Sequence, residues 1–325
     1  MIFQRAELHN HTTESDGSLS VKELMHLADE KGYGVLALTD HNTCSGHRLA
    51  EQVIKDDGLS TDLIRGVELT TFYGHVLALG MNDMISFSDL DPNAPEGFFK
   101  KLRANGARAI GFAHPFCLGR PVMAGCRFDM KIHDWNILDY IEVFNTSSGM
   151  DEHAEKIIGN ENALRLWEDK VLAGFRLAAV TGKDIHKRPA DIPCMITYAV
   201  LQDDESEKNR ADAVIGAILR QRTLVTKGPL MWAGIRDGKL VLSIDNSSDY
   251  FGWNRKYTDV SPLLLIRDDR GHEMSHEIDI SEKEIGLEIP DGADRFVLRL
   301  YDRDTAFRSL LCAGIYVERE RSSEP

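Results

Sequence analysis

Six histidines and four carboxylates stand at or beside the ends of short apolar runs: His9, His11, His41, His75, His114 and His186, with Asp40, Glu68, Glu142 and Asp184. An ionisable side chain at the end of nearly every buried run is costly unless those groups share a cation. In a parallel α/β protein the C-terminal strand ends open onto one mouth, where such residues converge. His75 is the exception: it begins its run, so it comes from a loop or an antiparallel piece. His9 and His11, one residue apart, project from the same face of a strand and offer two imidazoles to one ion. Alone, an H-x-H pair is a weak signal in a chain with 12 histidines. Ser15-Asp16-Gly17 adds a carboxylate in a tight turn, and Thr39-Asp40-His41 ends the next run. Mixed imidazole and carboxylate suit zinc, manganese or iron, whereas an all-oxygen shell suits magnesium or calcium.

Each residue has a plainer reading. His41 would cap a helix, His114 before Pro115 would bond within a turn, and Glu68 would pair with Arg65 or a distant arginine. Jointly the metal reading wins. His26, His47, His133, His153, His272 and His276 read as structural or solvent-exposed. No G-x-S-x-G elbow, P-loop or Rossmann glycine fingerprint is present.

The runs that must position these groups are 35–40, 63–69, 75–80, 109–114, 140–145 and 177–182. They are continuous rather than alternating, as expected of strands covered on both faces. Helical periods cover 21–31 after a Ser20 cap, 45–56, 96–105 and 153–172. Strand–helix units imply a parallel sheet, open or closed into a barrel. After Gly228-Pro229 the texture changes to short strands with polar turns, beginning with a hairpin at Asp237-Gly238. We expect two domains, 1–228 and 229–325, the second a small β-sandwich.

The chain has 325 residues and a formal net charge of −14. That acidity argues against nucleic-acid or anionic-membrane partners, although bound cations reverse the local sign and admit an anionic substrate. Five cysteines without a C-x-x-C pair argue against a disulfide framework or zinc knuckle. A cytoplasmic protein is expected, since the N-terminus leaves no room for a signal peptide and no apolar run has spanning length. The oligomeric state stays open.

Taken in order, H9-N-H11, S-D16-G, T-D-H41, G-V-E68, G-H75, A-H114-P and D184-I-H186 resemble the PHP (polymerase and histidinol phosphatase) superfamily. The strings TDHN, GVELTT, GHVLALG, IEVFN and RTLVTKGP resemble its carbaryl-hydrolase-like branch. The resemblance implies a distorted (β/α)7 TIM-like barrel and two to three divalent ions (zinc, manganese or iron). It places His9 and His11 on one ion with Glu68 and Asp184 bridging, and His75 and His114 on a second that shares Glu68. Asp16, His41 and His186 would hold a third. Asp40 would orient the cluster; Glu142 and Asn145 receive no ligand role. Lys183, where the branch commonly has a small residue, would contact an anionic substrate or snorkel outward, and Arg120 is the other candidate for substrate charge. The implied activity is hydrolysis of a small-molecule ester by a metal-bridging hydroxide, with Glu68, Asp184, His186 and Asp40 in catalytic roles. A phosphoester leads and a carboxyl or carbamate ester is the alternative. A binding role for the β-rich tail through Trp232, Trp253, Tyr250, Phe251 and Tyr257 is the reading from another class.

Overall fold

The computed structural model describes residues 1–119, 125–145, 159–189, 194–202, 209–245, 260–303 and 309–319. Apolar residues of β1 (Ile2–Glu7), β2 (Val35–Leu38) and β3 (Asp62–Thr71) run side by side as parallel neighbours. The chain then turns back on itself: β4 (Gly74–Leu79) is antiparallel to β3 and to β5 (Ala109–Phe112). This is the antiparallel piece that His75 requires. Parallel pairing resumes from β5 through β6 (Tyr140–Asn145) to β7 (Ala178–Gly182).

Helices cover these strands. In α1 (Val21–Glu30) Ser20 and Glu23 form a reciprocal capping box, and Leu24, Met25, Leu27 and Ala28 face inward. α2 (His47–Asp57) ends at Gly58 in the left-handed region, a conformation glycine adopts without a Cβ penalty. α3 (Glu96–Ala104) buries Phe98, Phe99 and Leu102, and α4 (Asn160–Leu172) buries Leu164, Trp167 and Val171. The expected start of α4 at 153 lies outside the described residues.

Several elements were not among the expected runs, β1 and the following three included. β8 (Ile196–Leu201) pairs antiparallel with β1, and α5 (Arg210–Leu219) buries six of its residues. Val214 and Ile218 of α5 share a core cluster with Ala6, Val35, Leu77, Tyr140 and Val180, side chains drawn from five strands. β9 (Thr223–Thr226) pairs with β8 on one side.

The far ends of β1 and β7 lie together. Asn10 and Ile185 form a parallel bridge, and the His11 amide donates to the Ile185 carbonyl at 3.0 Å. β7 also rests on β8 and β9: the Thr181 amide donates to Thr197 Oγ1 at 2.7 Å and the Thr223 hydroxyl to the Ala179 carbonyl at 2.8 Å. The arm carrying His9 and His11 is thereby held beside the arm carrying Asp184 and His186.

In the tail, β10 (Leu230–Arg236) and β11 (Lys239–Asp245) form the expected hairpin, with Asp237 and Gly238 at φ 52° and 78°. β12 (Pro262–Asp268), β13 (Glu273–Glu277), β15 (Arg295–Asp302) and β16 (Ser309–Glu318) are antiparallel, and β16 pairs with β9. β14 (Glu284–Leu287) joins β10 and β11 in a separate three-stranded sheet. Hydrogen bonding thus runs through β9 from the N-terminal strands into the tail, giving 13 strands in one mixed sheet among the described residues. No helix among them is long and apolar enough to cross a membrane.

Candidate metal centre

Strand ends deliver the side chains in order: His9 and His11 after β1, His41 after β2, Glu68 from β3, His75 from β4, His114 after β5, and Asp184 and His186 after β7. Glu68, fully buried, is the hub. Its Oε2 lies 3.2 Å from His9 Nε2, 3.2 Å from His11 Nε2 and 2.9 Å from His41 Nδ1; its Oε1 lies 2.8 Å from His75 Nδ1 and 3.3 Å from His114 Nε2. Asp184 Oδ1 sits 3.1 Å from His11 Nε2, 3.2 Å from His186 Nδ1 and 3.5 Å from His9 Nε2. Asp16, on the more exposed rim, reaches His186 Nε2 at 3.2 Å and His41 Nε2 at 3.5 Å.

All nine residues expected as ligands converge here. Sets with metal-compatible spacing are His11, Asp16, His41 and His186; His9, His114 and Asp184; His9, His11 and Glu68; and His41, Glu68 and His75. His11 thus also belongs with the rim group, its ring stacked 4.2 Å from both His41 and His186.

The chemistry of this donor set fits divalent ions. His9 Nδ1 lies 2.8 Å from Glu142 Oε2, so a proton belongs on Nδ1 and Nε2 is the nitrogen left for an ion. Nε2 faces the carboxylate oxygens of Glu68 and Asp184, which demand a cation or a proton beside them: burial opposes charge on His9, yet Glu68, Asp184 and Glu142 hold the metal-free ring well above its usual pKa. His9 Nε2, both nitrogens of His11, His75 Nε2, Glu68 Oε2 and Asp184 Oδ1 are buried without a hydrogen-bond partner. Each unpaired buried group costs about 1–3 kcal/mol, which coordination removes.

Electrostatics point the same way. Burial opposes charge on Glu68, yet the surrounding His9, His75, His11 and His114 rings hold its carboxyl well below the usual range. Asp184 is held low despite burial by His9, His11 and His186. Burial would lower His114, but Glu68 and Asp184 raise it to about 9; His186 rises to about 9 chiefly through its hydrogen bond to Asp184. Without metal, protons supply the positive charge the carboxylates demand.

Three expectations change. Asp40 contacts no imidazole: its oxygens accept from the Thr12 amide (2.7 Å), the Thr12 hydroxyl (2.8 Å) and the Ser15 hydroxyl (2.7 Å), fixing the loop that carries Asp16. Lys183 is 6% exposed, so it does not snorkel outward, and it lies near enough to Glu7 and Cys194 to act on both. Glu142 takes the orienting role assigned to Asp40. Asn145 supports it, donating to Glu142 Oε1 at 2.8 Å and to Asp184 Oδ2 at 3.1 Å. The signal for both was visible as polar residues inside the otherwise apolar run 140–145. Arg120 lies outside the described residues, as does His153. His26, His47, His133 and His272 bond to Asp57, the Gly66 carbonyl, the Asn93 carbonyl and Asp268, away from the cluster.

Residues 7–165 match the PHP domain. Part of the chain is 40% identical over 80 residues to the 5′-3′ exoribonuclease Rnm of Escherichia coli, covering 23% of this chain and 27% of that protein. The chain thus spans about a quarter of the length of that relative. An uncharacterised protein of Methanocaldococcus jannaschii is 28% identical over 167 residues, which are 48% of this chain and 87% of that one. A two-domain Bacteroides vulgatus protein containing a predicted PHP-like metal-dependent phosphoesterase superposes with a TM-score of 0.53 at 16% identity, covering 97% of this chain and 95% of that one. That likeness concerns the fold, and it extends through the tail.

Proposed function

We propose that this protein is a metal-dependent phosphoesterase acting on a small anionic ester, with three divalent ions (zinc, manganese or iron) at full loading. The observation that carries the reading is His9 Nε2 set 3.2 Å from Glu68 Oε2 and 3.5 Å from Asp184 Oδ1 while Glu142 holds Nδ1 at 2.8 Å. His9, His11, Glu68, His75, His114 and Asp184 would hold the inner ions, and Asp16, His41 and His186, with His11, the rim ion. When bound, such ions activate water and neutralise charge that grows on the scissile group.

The chain's own residues set the geometry of that chemistry. Glu142 and Asn145 orient His9 and Asp184, and Asp40 holds the Asp16 loop. His186, 35% exposed at its side chain, or His41 would assist protonation of the leaving oxygen only when not committed to the rim ion. A phosphoester is favoured over a carboxyl or carbamate ester by the relatives, which include an exoribonuclease and a phosphoribosyl cyclic-phosphate diphosphodiesterase from Eggerthella lenta. The net charge of −14 favours a small substrate over a polynucleotide. We also propose that the β1–β7 strands form the distorted barrel, with a β-sandwich after Gly228-Pro229. A binding role for the tail gains little: Trp232 is half-buried against the core, and the other four aromatics lie outside the described residues.

The test is elemental analysis of the purified protein, with turnover of p-nitrophenyl phosphate, its bis-ester and p-nitrophenyl acetate before and after chelation. Bound metal with chelator-sensitive phosphoester cleavage is the expected result. Cleavage of the acetate alone moves the reading to carboxyl esters, and a protein inert after zinc, manganese and iron are restored overturns it.

A further inference from the structure

The last residue of β6 is tied down by a side chain from another element. The ladder between β6 and β5 ends at Ile141, short of Asn145. Asn160, the first residue of α4, supplies what a neighbouring strand would have given. Its Oδ1 accepts from the Asn145 amide at 2.9 Å and its Nδ2 donates to the Asn145 carbonyl at 3.1 Å. Asn160 is 5% exposed and Asn145 1%, so little water competes for either bond. The Asn145 side chain in turn serves both arms of the site: one amide group donates to Glu142, which orients His9, and to Asp184, a proposed ligand.

Asn160 has a firm support. Gly159, at φ 71°, passes Phe116 so closely that an added Cβ would lie 2.7 Å from the phenylalanine Cβ. One residue after Asn160, Glu161 accepts from Arg299 of β15 at 2.8 Å, and Glu168 further along α4 accepts two more bonds from the same guanidinium. The tail sheet thus clamps the helix that carries Asn160.

We propose that Asn160 is a positioning residue for the metal centre, holding Glu142 and Asp184 in place through Asn145, with the tail-clamped α4 as its support. The inference rests on the metal reading. A direct partner of a metal-bound side chain is typically worth about 10–100-fold in affinity. Asn160 stands one link further out, so its loss should weaken zinc binding by about 3–10-fold, below that range.

The experiment titrates zinc into chelator-stripped, full-length protein against a competing chromophoric chelator. Asn160→Leu keeps the bulk and removes both bonds; Asn160→Ala takes its place if the leucine variant does not fold. Asn145→Ala should weaken zinc at least as much, and the double variant no more than Asn145→Ala alone, because without the Asn145 amide there is nothing left for Asn160 to aim. Leu164→Ala, a cavity in the buried face of the same helix, should lower the melting temperature and leave zinc affinity at the parent value. Parent-like zinc binding by the Asn160 variant would overturn the proposal. So would additive losses in the double variant, or an equal loss in Leu164→Ala, which would mark a general loosening of α4. Those results leave the parent's metal binding intact and defeat this inference alone, whereas a parent that takes up no zinc, manganese or iron removes the metal reading and this inference with it.

Discussion

Replacing Glu142 tests the logic of the site more sharply than removing a ligand. Its carboxylate is 1% exposed, bonded to His9 Nδ1 at 2.8 Å through Oε2 and to Asn145 Nδ2 at 2.8 Å through Oε1. It touches no proposed ion, so its effect on metal must pass through His9. A partner that fixes a metal-bound imidazole is typically worth about 10–100-fold in affinity, or about 1.4–2.7 kcal/mol. Glu142→Gln keeps the shape and one acceptor for His9 but loses the charge, so it belongs near the low end. Glu142→Ala frees the ring and leaves His9 Nδ1 without a partner in a buried space, so it belongs at the high end or beyond. The assay is a zinc titration of chelator-stripped protein against a competing chromophoric chelator, with circular dichroism checking the fold. Alanine binding zinc as tightly as the parent would refute the tautomer argument on which the metal reading rests.

Alanine at Glu68 or at Asp184 should reduce phosphoester turnover to background while far-ultraviolet circular dichroism stays native; residual turnover in either variant removes that residue from the mechanism. Asp40→Ala strands three donors, Thr12 N–H, Thr12 O–H and Ser15 O–H, and should cost on the order of 3 kcal/mol in denaturant unfolding. The same variant should lose the rim ion selectively, seen as a fall in metal stoichiometry with the inner ions retained. His114 and His186 rise from 6.5 to about 9 in the metal-free protein, so their contribution to stability is complete below about pH 6.5 and fades as pH climbs through 9. The melting temperature of stripped protein should therefore fall over that window while zinc affinity rises, because fewer protons must be displaced; a flat profile contradicts the assigned charge states. Arg299→Ala should destabilise the chain by on the order of 3–5 kcal/mol, since Glu168 of α4, 1% exposed, takes two of the arginine's N–H groups and would keep only Arg267.

The convergence of the nine candidate ligands was legible because their residue types are expensive at the ends of buried runs, wherever the strands end. Their partition among ions was not, because the two oxygens of Glu68 gather rings from β1, β2, β4 and β5, and only the assembled sheet decides which ring meets which oxygen. Asp40 and Lys183 misled for one reason. Each adjoins a proposed ligand in sequence, but the backbone there aims neighbouring side chains apart, by strand-like alternation at Asp40 and by the left-handed turn of Asp184 (φ 52°) after Lys183. Asp40 therefore turns to Thr12 and Ser15 while His41 faces Glu68, and Lys183 lies near Cys194 while Asp184 faces His11. α5 escaped because Ala211, Ala213, Val214, Ile215, Ala217 and Ile218 are all buried, leaving no polar stripe from which to read a helical period.

Glu7 shows how the fold and the site constrain each other. Its Oε1 accepts from the His9 amide at 3.3 Å and from the Lys183 amide at 2.9 Å, joining the chain just before one pair of ligands to the chain just before the other. Burial pushes its carboxyl up to about 7, against the pull of those amides and of Lys183. A carboxylate in so unfavourable a place persists because it closes the gap between arms that no β-ladder joins at that level. Gly182 completes the fit, since an added Cβ there would lie 2.5 Å from His9 Cβ and 2.5 Å from Glu142 Oε2. Beside the Asn10–Ile185 bridge, the spacing of the inner candidate ligands thus depends on one acceptor oxygen and one missing side chain, neither of which would touch an ion.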